Sequence, residues 1–380
     1  MGAAINPFFG RIAALRGTRI LAVYCILSRF LRSVRLARHP KLCVYSSSQM
    51  KHFVLAGSFA SASLIAALLT SFNVWSSEED SWQVLQKAAI AARALSYKGI
   101  FVCQSAKQLK SVEITHLYDG QNEFARNVVL DGAPREVLNQ SGNVVIYKPS
   151  NGKVVIEKRR AQNMFPAILP PDLNSIKASY TLRTGETERI AGRPAQVLVL
   201  EPKDNLRYSY RFWVDTEYGL LLKSVMFNNR NETLESIGFN QLSLMNTVEL
   251  DWFKPKIDHN KNYVMEQEQE LIADSGAPLD WQIRALPAGY RKVDQMMRKV
   301  QGKSGPVTHV IFSDGLAFVS MFIEHVAKPT KEKPTPKNVL TTTGNTSFYA
   351  NVNNGHLVTV MGDVPEATVV QIANAVIFKK

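Results

Sequence analysis

The sequence predicts an α+β protein built on antiparallel sheets, and three features carry that prediction. One helix-periodic segment, SWQVLQKAAIAARALSYKG, precedes a long succession of strand-like segments. Hairpin turn signals separate those segments at Asp119-Gly120, Asp131-Gly132, Ser141-Gly142 and Asn151-Gly152. No repeated strand, long helix, strand unit occurs, which disfavours a doubly wound nucleotide-binding fold.

Residues 1–76 contain no Asp or Glu but nine of the chain's 45 basic residues. Within them, MKHFVLAGSFASASLIAALLTSFNVWS starts at Met50 with a short basic head, continues through an apolar core from Phe53 to Leu69 and ends in Val74-Trp75-Ser76. That pattern reads as a secretory signal peptide over 50–76, with 1–49 an upstream extension before the true initiator Met50. An uncleaved anchor is the rival reading, because Phe53 to Thr70 is about the least length that spans a bilayer. No Cys follows the apolar core, so lipid attachment through a lipobox is not expected. Without residues 1–76 the chain keeps 36 basic against 32 acidic residues, a net charge of +4 rather than +13. A nucleic-acid surface needs a dense basic stripe or a stacking platform, and none is expected here. Only Cys103 lies beyond the leader, so no intramolecular disulfide is available and the fold must rest on hydrophobic cores.

In the first domain, 77–250, the opening helix places Val84, Leu85, Ala88, Ala91, Ala92 and Leu95 on one face and ends near Gly99. NVVIYKPSNGKVVIEKR is the clearest hairpin of the strand series. In RYSYRFWVD, Tyr208, Tyr210, Phe212 and Val214 point to one side and Arg207, Ser209, Arg211 and Trp213 to the other. The next strand sets Leu220, Leu222, Ser224 and Met226 against Leu221, Lys223, Val225 and Phe227, so both faces of this hairpin are expected to be covered. Between the two strands, Asp215 and Gly219 suit a tight turn. Residues 251–264 read as a linker. The second domain, 265–380, holds a turn at Leu286 to Tyr290, a hairpin at Asp314-Gly315 and a Pro- and Lys-rich loop, AKPTKEKPTPKN. It finishes in a helix starting at Pro365 with Glu366 in the first turn and Val369, Ile372, Ala373 and Val376 on its apolar face.

Chemistry has little support. His116, His259, His309, His325 and His356 are scattered, with no H-E-x-x-H and no cysteine cluster, so neither a metal nor a cofactor is expected. His309 and His325 flank the Asp314-Gly315 hairpin and read as strand-end polar residues. Asp215 and Glu217 fit a turn better than a pair of glycosidase carboxylates. QGKSGP lacks the upstream glycine of a phosphate loop, and no G-x-S-x-G is present. With no nucleophile, base and orienting group assembled, the residues point to a binding protein with no catalytic role.

LDGAPREVLNQSGNVVIY at 130–147, RIAGRPAQVLVLEPKDNLRYSYRFWVDTEYGLLLKSVMF with NETLESIGF within 189–239, LPAGYRKV at 286–293, FSDGLAFVS at 312–320 and the terminal GDVPEATVVQIANAVIF occur in an order that resembles the RseB/MucB family, periplasmic negative regulators of the envelope-stress sigma factor. The resemblance implies a strongly curved, unclosed antiparallel half-barrel with helices, like that of periplasmic lipoprotein carriers, plus a smaller carboxy-terminal α+β domain. It implies a location in the periplasm and a partner, the periplasmic region of a transmembrane anti-sigma factor, which the protein shields from proteolysis until lipopolysaccharide or a related acyl lipid relieves it. A homo-oligomer is compatible with it. Within that frame Tyr208, Tyr210, Phe212, Leu222 and Met226 are candidate lipid-lining residues, with an ordinary filled core as the alternative. Arg135, Arg207 and Arg211 are candidate contacts to lipid phosphate. Phe312, Phe318 and Phe322 are candidate partner contacts, near an edge strand that can accept a partner segment. A periplasmic lipid or lipoprotein carrier is the alternative function; an envelope hydrolase or a purely structural envelope protein stands further back.

Overall fold

The computed structural model describes residues 78–379 apart from 106–107, 142, 151–152, 161–163, 246–248, 254–261, 267–279, 300–305 and 327–337. The upstream extension and the signal peptide, the centre of the linker, QGKSG and the Pro- and Lys-rich loop therefore lie outside the described residues.

Helix α1 (Glu78–Ala94) opens on Glu78, Glu79 and Asp80 and carries Arg93 in its last turn, charges that complement the helix dipole at both ends. It buries Trp82, Leu85, Ala88, Ala89 and Ala92, a stripe at three- and four-residue spacing. Alanine on that stripe lets the helix backbone lie close to the strands. The Tyr97 hydroxyl donates to Ala92 O at 2.9 Å, so one of the carbonyls left open at the helix end is satisfied.

Two meanders make the large sheet. The first comprises β1 (Tyr97–Ser105), β2 (Gln108–Tyr118), β3 (Glu123–Val129), β4 (Glu136–Gln140), β5 (Asn143–Ser150) and β6 (Lys153–Arg160). After α2 (Asn174–Ser179), the second comprises β7 (Tyr180–Ile190), β8 (Arg193–Pro202), β9 (Ser209–Asp215), β10 (Leu221–Phe227) and β11 (Thr233–Leu244). Antiparallel pairing of β11 with β1 joins the meanders. A twelfth strand, β12 (Asn262–Glu266), pairs in parallel with β6, and the sheet stays open with β12 and β7 at its two edges. Part of the segment expected to be a linker is thus a sheet strand, because the free backbone edge of β6 can take one more partner.

Turn chemistry explains the hairpins. Asp119 Oδ1 accepts from the backbone N–H groups of Gln121 and Asn122 at 2.8 and 2.7 Å, and Gly120 takes φ +95°. Between β7 and β8, Ala191 and Gly192 both have positive φ, as a two-residue hairpin loop requires.

One face of this sheet and α1 enclose the main core, which takes Tyr97 and Phe101 from β1, Leu198 and Leu200 from β8, Phe212 from β9, and Ile237 and Phe239 from β11. This is the inner face of the sheet. Cys103 is a buried strand residue of the same core. The opposite face of the β9–β10 hairpin is covered by the long stems of cations. Lys223 Nζ stands 4.6 Å from the Trp213 ring centroid and Arg211 lies 4.9 Å over Phe227.

The second domain sheet runs in the order β14 (Arg291–Lys299), β15 (Pro306–Ser313), β16 (Phe318–His325), β19 (His356–Gly362), β18 (Thr346–Asn353) and β17 (Val339–Thr343). Helix α3 (Glu366–Asn374) packs Val369, Ile372 and Ala373 on it, with Pro365 at the N-cap position. Val376, expected on the helix, belongs to β20 (Val376–Phe378), which pairs with β13 (Trp281–Ile283). It still reaches the same core from there. His309 also departs from expectation. It sits mid-strand and 1 % exposed, stacked on Phe322, because a hydroxyl on the neighbouring strand, Ser320 Oγ, lies 3.1 Å from its Nε2.

Candidate functional site

The turn at Asp215 is structural. Its Oδ1 accepts from the backbone N–H groups of Glu217 and Tyr218 at 3.0 and 2.7 Å, its Oδ2 accepts from Arg193 Nε, and Gly219 takes φ +77°. Arg193 also bonds Glu217 at 3.1 Å, so both carboxylates are committed to one guanidinium at a hairpin end. Among the described residues, no group of three or more His, Cys, Asp or Glu side chains could hold a metal ion. No described helix is long and apolar enough to cross a membrane.

Buried polar chemistry gathers instead where the two domains meet. Arg207, a candidate contact to lipid phosphate by sequence, lies just before β9 and is 1 % exposed, so it is closed to a lipid. Its Nε donates to Asp314 Oδ2 at 2.9 Å, and its terminal nitrogens donate to Asp204 and to the carbonyl of Ala288. The guanidinium also stacks over Tyr290, 4.8 Å from the ring centroid. Burial pulls its pKa down, but the charges of Asp314 and Asp204 outweigh that and hold it raised. Asp314 is fully buried in the turn between β15 and β16, where its Oδ1 accepts from the N–H groups of Leu316 and Ala317 and its Oδ2 faces the Tyr180 hydroxyl at 3.4 Å. Burial, followed by the Asp314 charge, pushes the phenols of Tyr180, Tyr210 and Tyr290 well above their ordinary value. Leu206 O accepts from Thr368 of α3 at 2.7 Å and from Tyr290 at 3.4 Å.

Two glycines allow this approach. A Cβ on Gly289 (φ +81°) would stand 2.2 Å from Ser179 Oγ and 2.6 Å from a terminal nitrogen of Arg207. One on Gly315 (φ +107°) would stand 2.6 Å from Ser175 Oγ. The motifs LPAGY and SDG are therefore contact points of the second domain on the first, together with Thr368 of α3.

The remaining candidate residues divide by environment. Phe212 and Leu222 are fully buried members of the main core. Leu222 is the extra residue of a bulge opposite Val214 and Trp213, so Leu221 and Leu222 are both fully buried where strict alternation would have turned one outward. Tyr210 and Met226 lie opposite each other on the inner face, and Tyr208 is buried. Arg211 lies on the other face over Phe227, and Arg135 sits half-buried just before β4. Phe312 is fully buried in the second core and Phe322 half-buried, while Phe318 is 42 % exposed.

Glu235 of β11 faces the same junction. Burial first, and then the charge of Asp363, raises its carboxyl pKa to about 8. Folding then binds a proton that the unfolded chain releases near pH 4.5, so the contribution is fully present below that pH, falls as pH rises and is gone above about 8. Glu235 is only half-buried by surface, so the fall is smaller than the roughly 5 kcal/mol that the full shift would carry. Urea midpoints measured from pH 5 to 8.5 are expected to decline more steeply in the wild type than in Glu235→Gln. Equal slopes would remove the residue from the pH response.

A two-domain scaffold whose buried Arg207 and Asp314 join its domains, and whose acidic turn is structural, fits the class of binding proteins. Residues 80–257 match the MucB/RseB N-terminal domain and residues 275–377 the MucB/RseB C-terminal domain. The chain belongs to the MucB/RseB family, a non-catalytic regulatory family. It is 27% identical over 315 residues to the sigma factor AlgU regulatory protein MucB of Pseudomonas aeruginosa, covering 82% of this chain and 94% of that one. It is 24% identical over 317 residues to the sigma-E factor regulatory protein RseB of Haemophilus influenzae, covering 83% and 97%. Among solved structures, MucB in complex with MucA(peri) is similar at 26% identity and a TM-score of 0.63, over 79% of this chain and 100% of that one.

Proposed function

We propose that this protein is a periplasmic regulator that holds the periplasmic region of a transmembrane anti-sigma factor, shields it from regulated proteolysis and lets go when lipopolysaccharide or a related acyl lipid binds. The observation that carries the reading is similarity across both domains to a MucB solved with MucA(peri) bound. The domain junction supports it physically. A regulator that answers one ligand by releasing another needs two sites coupled through states that the two ligands favour differently. Among the described residues the domains join through buried hydrogen bonds and charges centred on Arg207 and Asp314, with Leu316 packed on the main core.

In this reading Tyr210 and Met226, on the inner face, line the lipid site. Tyr208, Phe212 and Leu222 shape it from within the packed structure, and Arg135 is the candidate cation for a lipid phosphate, because Arg211 lies on the opposite face over Phe227. Phe318 is the exposed aromatic of the second domain and serves as partner contact, with Phe322 on the same face of β16 and Phe312 in the core on the other side of the sheet. The test is calorimetric binding of the purified protein to the periplasmic region of the anti-sigma factor from the same cell, repeated as lipopolysaccharide is titrated in. Tight binding that weakens with lipid supports the regulator. Lipid uptake with no binding to the protein partner would replace it with a lipid or lipoprotein carrier.

Phe318→Ala is expected to weaken the partner complex about tenfold, roughly 1.4 kcal/mol, with an unchanged urea midpoint. An unchanged affinity would take Phe318 out of the interface.

A further inference from the structure

On the inner face, one register row crosses β2, β1, β11, β10 and β9. Gln108 lies opposite Ser105, Ser105 opposite Glu235, Glu235 opposite Met226 and Met226 opposite Tyr210. Ser105 follows the core residues Tyr97, Phe101 and Cys103 on alternate positions, and Glu235 precedes Ile237 and Phe239 in the same way, so these side chains project inward. Ser105 is 2 % and Gln108 9 % exposed, and neither Ser105 Oγ nor Gln108 Oε1 has a hydrogen-bond partner. Buried oxygens in a folded protein are almost always paired, so two on facing residues of one row indicate a missing donor or ion.

The geometry of the row shows what would fit. Ser105 is short and stands between two long side chains on strands about 4.8 Å to either side, so Gln108 and Glu235 can bring their terminal oxygens over its hydroxyl. From the second domain comes Asp363, between β19 and α3, whose charge acts on Glu235 and whose Oδ1 accepts from Thr346 Oγ1 at 2.6 Å. An amide oxygen, a hydroxyl and two carboxyl groups are all hard oxygen donors, with no nitrogen or sulfur among them. We propose that Gln108, Ser105, Glu235 and Asp363 form a binding site for a divalent cation of the calcium type, and that the cation bridges the two domains. Calcium accepts six to eight oxygens in irregular geometry and completes its shell with water, whereas magnesium demands a near-ideal octahedron. The shared positive charge would also relieve the repulsion between the two carboxylates. Lys110, on this face of β2 one register step inward opposite Cys103, Tyr210 at the far end of the row, and Tyr208 and Glu366 on the Asp363 side are neighbouring titratable groups. The Lys110 charge opposes entry, which sets affinity on the order of 10⁻⁴ to 10⁻³ M, the range of extracellular calcium modules.

The experiment is titration of calcium chloride into the purified protein, read as calorimetric heat and as thermal midpoint, with magnesium chloride in parallel. Saturable binding with a rise in midpoint is expected, about tenfold weaker for magnesium. It should disappear in Glu235→Gln and in Asp363→Asn and persist in Glu186→Gln, an exposed carboxylate elsewhere on the sheet. Should Glu235→Gln fail to fold, Gln108→Ala removes a neutral donor and is expected to weaken binding at least fivefold. No saturable heat up to about 10 mM, or the same response in wild type and the Glu235 and Asp363 variants, would overturn the site.

Discussion

Asp314→Ala is expected to lower the folding free energy by about 3–5 kcal/mol, the usual cost of stripping one partner from a buried ion pair. Arg207 would keep its burial and its bonds to Asp204 and the Ala288 carbonyl but lose the fully buried carboxylate on its Nε. The turn between β15 and β16 would lose the acceptor for two backbone N–H groups at the same time. Both losses fall where the domains meet, so calorimetry should resolve one unfolding transition into two. Asp314→Asn keeps the turn acceptor and removes the charge, and it should fall between wild type and Ala. A loss below about 1 kcal/mol for the Ala variant would mean that Asp204 and Ala288 alone satisfy the guanidinium, and that the domains are joined by other contacts.

The second large effect is expected from Phe212→Ala, about 3–5 kcal/mol, because a fully buried ring would leave a cavity in the main core. Phe212 sits between Leu198 and Ser224 in register and stacks on Tyr210 at 5.7 Å between centroids. The measurement pairs a urea midpoint with lipid uptake at a temperature where the variant stays folded. A lower midpoint with uptake intact would identify a core residue. Lost uptake at unchanged stability would make Phe212 a wall of the lipid site and contradict the packing.

Much of this architecture is legible in the chain, because alternation and turn chemistry are local. The faces of β9, the turn at Asp215, the hairpin at Asp314-Gly315 and the apolar stripe of α1 can each be read within a dozen residues. What cannot be read depends on distance. Arg207 looks like a free basic residue until Asp314, 107 positions later, is placed beside it. The bulge at Leu222 hides in a run of three leucines, where an inserted residue changes no pattern of polarity. β12 is short and lies within a polar connection, and only the open edge of β6 turns it into a strand. The row from Gln108 to Glu235 joins residues whose relation is set by register alone.

The pairing of β1 with β11 has a kinetic side. Tyr97 meets Leu244 across the centre of the sheet, so the first strand made must wait for the last strand of the second meander. Until then β1 is an open edge carrying Phe101 and Cys103, able to accept a wrong strand from its own chain or from a neighbour. Such long-range closure places folding in the millisecond-to-second range rather than in microseconds. A chain that emerges slowly from its amino end is exposed throughout that interval, and a holding chaperone would act on it most usefully there.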